Sequence, residues 1–189
     1  MTIDEALEDV EIVFWQIEFA LKISAFWDRP EMGSEEFVTD LSVYLPEGDL
    51  HFPTDHFGEI ENIRRAAEVS VYMAFGTSAL ALDQALEVAG FRPNPQSEDP
   101  FDHLRCIVYL VRCAFAHRVA DPVWDASKKK LRAYTLRVGP KPIIVDMVAL
   151  NGTPFSFESL GGHQYWFLIR DAVVKKINIA QKTAPAIEN

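Results

Sequence analysis

Arg112 and His117 form the one Arg-x-x-x-x-His pair in this sequence. A guanidinium is always charged and its forked donors match a phosphate, while an imidazole with a pKa of about 6.5 exchanges protons at neutral pH. Arg112 could therefore hold a scissile phosphate, and His117 could take a proton from a ribose 2′-hydroxyl or protonate the leaving 5′-oxygen. This chemistry requires RNA and leaves DNA uncut.

A helix must carry this pair. Asp99 as the N-terminal cap and Pro100 at the first helical position predict a helix that runs to about Ala120. One face of this helix is apolar, and the other holds polar or small side chains, namely Asp102, Arg105, Tyr109, Arg112, Cys113 and Ala116. We expect Arg105, Tyr109 and Cys113 to contribute to substrate binding beside Arg112.

On an ideal helix, Arg112 and His117 point about 140° apart. They could share one ligand if Arg112 reaches round the helix, if the last turn unwinds, or if a second subunit contributes. A purely stabilising role is also open, because cations at a helix C-terminus gain about 0.3–1 kcal/mol from the helix dipole.

The charge of the chain is unevenly distributed. Its formal net charge is −10, which argues against a nucleic-acid partner, but residues 101–142 carry nine basic and three acidic side chains. The segment that holds the Arg-His pair is thus the basic one, and it suits an anionic ligand. Three consecutive lysines, Lys128, Lys129 and Lys130, could equally be a solvated turn.

The segment from Arg105 to Trp124, with Asp121-Pro122 directly after the Arg-His pair, resembles the HEPN family (higher eukaryotes and prokaryotes nucleotide-binding). The resemblance implies an all-helical bundle and a metal-independent endoribonuclease, in which Arg112 and His117 line a cleft at a two-fold dimer interface. It also implies a toxin or defence role, with an antitoxin or a nucleotidyltransferase-like protein as a possible partner. Catalytic members usually have a polar residue after the arginine, and Cys113 stands there in this chain. The alternative is a non-catalytic helical dimer that binds a nucleotide or a protein.

The remaining pattern predicts a mainly α fold with a small hairpin and a C-terminal helix. Long helices are expected from the Thr2/Glu5 capping box to about Trp27 and from Gly58 to Ala89. The first has two apolar rows, so either a second subunit or the rest of the bundle should cover its outer row of Ile12, Trp15, Phe19, Ile23 and Phe26.

Shorter elements fill the rest of the chain. A short helix is expected over 34–45, with apolar positions at Phe37, Val38, Leu41 and Leu45, and a loop over 47–57. Strands are expected at 131–138 and 143–150 around Gly139-Pro140. Gly161-Gly162 should open a last helix through Ile177, followed by a frayed tail from Gln181.

The 189 residues fit one domain, with a helical body over 1–124 and the hairpin and final helix over 125–180. The acidic N-terminus lacks the basic start of a signal peptide, and the longest charge-free run, Val69 to Leu82, is too short to span a bilayer. We therefore expect a cytoplasmic protein without a membrane partner.

Neither a cofactor nor a metal is expected. His51, Asp55 and His56 lie close together in the sequence, but no helical His pair or Cys ligand accompanies them. Cys106 and Cys113 lie about 10 Å apart along one helix, too far for a disulfide, so both should be thiols.

Overall fold

Helices dominate the computed structural model, which describes residues 1–29, 41–46, 48–52 and 57–183. The mainly α fold with a small antiparallel hairpin and a C-terminal helix is confirmed. The elements in chain order are α1 (Ile3–Trp27), β1 (Leu41–Leu45), β2 (Gly48–Phe52), α2 (Ile60–Val88), α3 (Pro100–Phe115), β3 (Ala133–Leu136), β4 (Ile143–Asp146), α4 (Met147–Leu150) and α5 (His163–Thr183). No helix among these is long and apolar enough to cross a bilayer.

Local signals fix the ends of the two longest helices. At the start of α1, the Thr2 backbone N–H donates to Glu5 Oε2 at 2.6 Å, and the Glu5 backbone N–H donates to Thr2 Oγ1 at 3.2 Å, which is the predicted capping box. After α2, Gly90 adopts a φ of +84° and the Phe91 N–H donates to the Leu86 carbonyl at 2.8 Å. A glycine in this left-handed conformation is a common end of a helix.

Helix α3 is the centre of the core. Its N-terminus is capped by Asp99, whose carboxylate accepts the Phe101 N–H at 2.8 Å. Ten of its 16 residues are buried, including Leu104, Ile107, Leu110 and Val111. Residues of α1, α2, the β3–β4 hairpin and α5 belong to the same apolar cluster. The hairpin and last helix therefore complete the core around α3.

The predicted extension of α3 to Ala120 is wrong, because the helix ends at Phe115. The chain turns back over 116–122, and the Val123 N–H donates to the Ala114 carbonyl at 3.3 Å. In a continuing helix, the N–H of residue 118 would donate to that carbonyl. A backbone donor from the returning chain thus replaces the next helical bond, and His117 lies outside the helix.

The helix predicted over 34–45 is wrong where the structure describes it. Leu41–Leu45 forms strand β1, which pairs antiparallel with Gly48–Phe52, so part of the predicted loop over 47–57 is also a strand. The segment Leu41-Ser42-Val43-Tyr44-Leu45 alternates apolar and polar or aromatic residues, and Gly48 supplies a φ of +139° after the turn. Phe37 and Val38 lie outside the described residues.

The second hairpin is confirmed, with β3 and β4 antiparallel. Both strands are shorter than the predicted 131–138 and 143–150. The second ends at Asp146, whose carboxylate accepts the Val148 N–H at 3.0 Å and caps the single turn of α4. Helix α5 continues to Thr183, so the fraying predicted from Gln181 is wrong for 181–183. Residues 184–189 lie outside the described range.

Gly76 lets α2 approach the end of α3. A Cβ at this position would lie 2.8 Å from Cδ1 of Phe115. Gly76→Val should therefore lower the free energy of unfolding by about 1–3 kcal/mol, measured by urea denaturation. Thr77→Val, at the neighbouring exposed position, is the control of similar shape and should change it little. Equal losses in the two variants would contradict this close approach.

Candidate functional site

A buried ion pair joins α2 to α3 beside the predicted site. Asp83 on α2 is 5% exposed and Arg105 on α3 is fully buried. The Arg105 Nη1 donates to Asp83 Oδ1 at 2.6 Å, and its Nε donates to the Phe91 carbonyl at 3.0 Å. One charge therefore compensates the other inside the protein, where an unpaired charge would be costly.

The prediction that Arg105 contributes to substrate binding is wrong. Its side chain has no exposed surface, and two of its donor nitrogens are used by Asp83 and the Phe91 carbonyl. The helical pattern placed it correctly on the polar side of α3, but α2 covers that side of the helix at this level. Arg105 is a structural residue.

Arg112 lies two helical turns after Arg105, on the same side of α3, and does reach solvent. Its side chain is 41% exposed, and its Nε lies 3.8 Å from Asp83 Oδ2. The two oxygens of Asp83 thus face two arginines, one buried and one at the surface. The Arg112 guanidinium donates no hydrogen bond within the described ranges, so its donors remain available to an anion.

Tyr109 and Cys113 occupy the half-exposed strip of α3 next to Arg112. The neighbouring Cys113, together with partial burial, raises the pKa of the Tyr109 hydroxyl, and the charge of Arg112 opposes this shift. The Lys130 ammonium lies 4.5 Å from the centroid of the Tyr109 ring. The structure therefore places two of the three predicted substrate-binding residues, Tyr109 and Cys113, beside Arg112, with a second cation, Lys130, close by.

His117 is exposed and lies just beyond the end of α3. Within the described ranges it makes no hydrogen bond or ion pair, and none joins it to Arg112. Helix α3 ends before His117, which is not among the residues that line the concavity beside Arg112. The ideal-helix angle of about 140° consequently no longer applies to His117.

Aromatic packing fixes the backbone on both sides of His117. The Phe115 ring lies 5.6 Å from that of Phe75 and 5.0 Å from that of Phe155. After the turn, the Trp124 N–H donates to the Thr153 carbonyl at 2.9 Å, and the Phe155 N–H donates to the Pro122 carbonyl at 2.8 Å. The turn that carries His117 therefore begins at a residue held by aromatic packing and ends at residues held by backbone hydrogen bonds.

A shallow concavity of about 340 Å³ lies between α2 and the end of α3. Arg112 forms part of its wall, and the exposed apolar side chains of Met73, Leu80 and Val119 line it with Phe115. An apolar depression with one cation at its wall suits a partner surface or the base and phosphate of a nucleotide.

Metal ligands do not converge in the part of the chain that the structure describes, where no group of three His, Cys, Asp or Glu side chains could hold an ion. His51 lies on β2 with its Nδ1 3.2 Å from Ser42 Oγ. Asp55 and His56, the other residues of that sequence cluster, lie outside the described ranges.

The fold and the site define a mainly helical protein whose central helix carries a half-exposed arginine at its C-terminal end. Comparison of the chain with models of protein families, with curated proteins and with solved structures gives no match.

Sequence reasoning missed Asp83. It is the single charged residue between Val69 and Leu86, in a helix whose neighbouring positions Leu82, Ala85 and Leu86 are all buried. A lone carboxylate on an apolar helix face needs a buried cation or several donors, and this was the available signal. The sequence alone does not tell which arginine provides that cation.

The ion pair gives a stability prediction. Arg105→Met should lower the free energy of unfolding by about 3–5 kcal/mol, because it leaves the Asp83 carboxylate buried without its cation. Arg112→Met, the same change two turns later at a half-exposed position, should cost less than about 1 kcal/mol. Adding Asp83→Asn to Arg105→Met should restore part of the loss. Urea denaturation measures all three, and equal effects at the two arginines would contradict the assignment.

The two thiols should differ in reactivity. Burial raises the pKa of Cys106 to about 11, whereas Cys113 is partly exposed. Because the thiolate is the reactive form, iodoacetamide at pH 8 should modify Cys113 first and Cys106 only after unfolding. Peptide mass spectrometry of the native and denatured protein measures this order. Modification of Cys106 at the same rate as Cys113 in the native protein would contradict it.

Proposed function

We propose that this chain is a metal-independent endoribonuclease of the HEPN type that acts as a homodimer. Arg112 contacts the scissile phosphate and His117 carries the proton. The observation that carries the proposal is that both side chains reach solvent at one end of α3, a helix that is otherwise mostly buried. A helix end that exposes this particular pair is chemically suited to cutting RNA.

Arg112 is suited to the phosphate because its side chain is half-exposed and its contact with Asp83 runs through Nε, 3.8 Å from Oδ2. A carboxylate on that side orients the guanidinium, and the Nη donors can then meet two phosphate oxygens. In the transition state of cleavage the phosphate gains negative charge. Arg112 offsets that charge without a metal ion.

His117 acts on protons. As a neutral imidazole it takes the proton of the 2′-hydroxyl while this oxygen attacks phosphorus, and the bond to the 5′-oxygen breaks. The leaving 5′-oxygen then takes a proton from the imidazolium that His117 has become. The products are a 2′,3′-cyclic phosphate and a 5′-hydroxyl. No described residue of the same chain orients the ring, so the RNA or a second subunit must provide that contact.

The second subunit has a surface to bind. Met73, Leu80 and Val119 expose apolar area directly beside Arg112, and the dimer would bury it. Pairing there brings two Arg112 side chains into one cleft, which offsets an acidic body that otherwise repels RNA. A neutralising antitoxin or a nucleotidyltransferase-like partner would act most simply by covering this same concavity.

The basic segment supports a nucleic-acid ligand. Lys128 and Lys129 are exposed in a 3₁₀ turn, and Lys130 packs over Tyr109 on the strip beside Arg112. None of the three makes an ion pair within the described part of the chain. Lysines without carboxylate partners can bind phosphates and displace the counterions condensed on a nucleic-acid backbone.

A non-catalytic helical dimer that binds a nucleotide or a protein is the second candidate. The observation that favours it is the lack of any orienting partner for His117 in the described residues, together with Cys113 at the position that is usually polar in catalytic members. Under this alternative, His117→Ala retains binding and the wild-type protein has no turnover.

Incubation of the purified protein with mixed RNA in EDTA tests the proposal. The wild type should cleave RNA to cyclic-phosphate ends and leave DNA intact, while Arg112→Ala and His117→Ala should each lower the rate at least about 100-fold. Their melting temperatures should change little, because both side chains are at least partly exposed.

Arg118→Ala is the matched control. Arg118 is an exposed cation next to His117 and is paired with Asp121 at 2.7 Å, so its loss removes charge without touching the proposed chemistry. It should keep most of the activity. Cleavage by His117→Ala at the wild-type rate would refute the catalytic assignment, and recovery of an EDTA-inhibited enzyme by magnesium would point to a different mechanism.

A further inference from the structure

Helix α1 exposes a row of large apolar side chains that its own chain does not cover within the described residues. Trp15 is 61% and Phe19 67% exposed, and Ile12 and Phe26 are also exposed. At about 100° per residue these four lie within about 60° of one another. We call them the α1 stripe. The opposite side of α1 packs into the core through Val10, Phe14 and Ile17.

The charges along the α1 stripe differ between its two halves. Glu8 and Glu11 lie on this side of the helix before Trp15. Lys22 follows Phe19 on the same side, and its Nζ lies 2.5 Å from Glu18 Oε1 of the same helix. Arg29 continues the basic end, since its guanidinium carbon lies 5.6 Å from the centroid of the Phe26 ring. The surface therefore runs from an acidic end, across an apolar centre, to an end at which Lys22 and Arg29 outnumber Glu18.

The charge pattern of the α1 stripe is complementary to that of a second α1 stripe packed in the antiparallel direction. If a second α1 crosses antiparallel with the two-fold axis near residue 17, Trp15 of one copy meets Phe19 of the other. The same axis places Glu11 next to Lys22 and Glu8 next to Phe26 and Arg29. An isologous two-fold contact makes each of these pairings twice.

We propose that the α1 stripe is an interface between two copies of this chain, packed antiparallel about an axis near residue 17. The apolar centre supplies the buried area, and the two oppositely charged ends fix the antiparallel direction. The interface shares no residue with the concavity beside Arg112, so the inference goes beyond the proposed function and does not depend on it.

Charge reversal tests the direction as well as the existence of the contact. Glu11→Lys places two lysines opposite each other at both ends, and Lys22→Glu places two acids there. Each variant should weaken self-association about tenfold or more, because two attractive pairs become repulsive. In sedimentation equilibrium, the mass of the assembly should fall to half of the wild-type value at concentrations where the wild type is associated.

Mixing the two variants is the decisive step. A complex of one Glu11→Lys chain with one Lys22→Glu chain again has opposite charges at both ends, so the mixture should recover the wild-type mass. Monomer stability cannot produce this recovery, because neither chain changes its own sequence on mixing. Failure of the mixture to recover would overturn the antiparallel contact.

Phe19→Glu tests the apolar centre, and it should weaken association at least about 100-fold. Ile144→Glu, at an equally exposed apolar position on β4, is the control and should leave the mass unchanged. RNA cleavage is measured in parallel. A Phe19→Glu protein of half the wild-type mass supports the interface, whether or not this variant cleaves RNA. An Arg112→Ala protein that loses cleavage but keeps its mass bears on the proposed function alone. A wild-type chain that stays monomeric, or that keeps its mass with Phe19→Glu, would overturn the proposal.

Discussion

The Asp83–Arg105 ion pair is the constraint on which the rest of the structure depends. A carboxylate that is 5% exposed must have a cation, and only one rotation of α3 about its axis directs Arg105 at it. That rotation also sets the position of Arg112, because two turns of helix bring it to the same side and within 3.8 Å of the other carboxylate oxygen. The buried arginine thus positions the surface arginine.

Apolar packing then decides where α3 stops. Phe115 fills the space that Gly76 leaves on α2, and its ring contacts those of Phe75 and Phe155. The returning chain is held by backbone bonds between residues 122–124 and 152–155. The loop 152–155, far away in sequence, therefore helps to determine that His117 lies on a turn and not on a helix.

The helices could be predicted because their signals are local. The Thr2/Glu5 capping box, Asp99-Pro100 and Gly90 each act on their own turn of backbone, and the apolar spacing shows which side faces the core. The errors have non-local causes. The end of α3 at Phe115 depends on aromatic rings from distant segments and on the Val123–Ala114 bond. The burial of Arg105 depends on Asp83 of another helix and on the Phe91 carbonyl. Tyr109, Cys113 and Arg112 could be grouped because one helix carries all three.

The backbone bond from the Val123 N–H to the Ala114 carbonyl closes a loop over 115–122. Arg112 precedes that closure and lies on α3, most of whose residues are buried, so its backbone N–H exchanges only when much of the protein opens. His117 lies inside the loop, whose side chains at 116–121 are all exposed, and local opening of this loop leaves the packing of α3 intact. The two members of the motif thus belong to regions of different local stability. Changes in the length or sequence of the loop can move the histidine while the arginine stays in place.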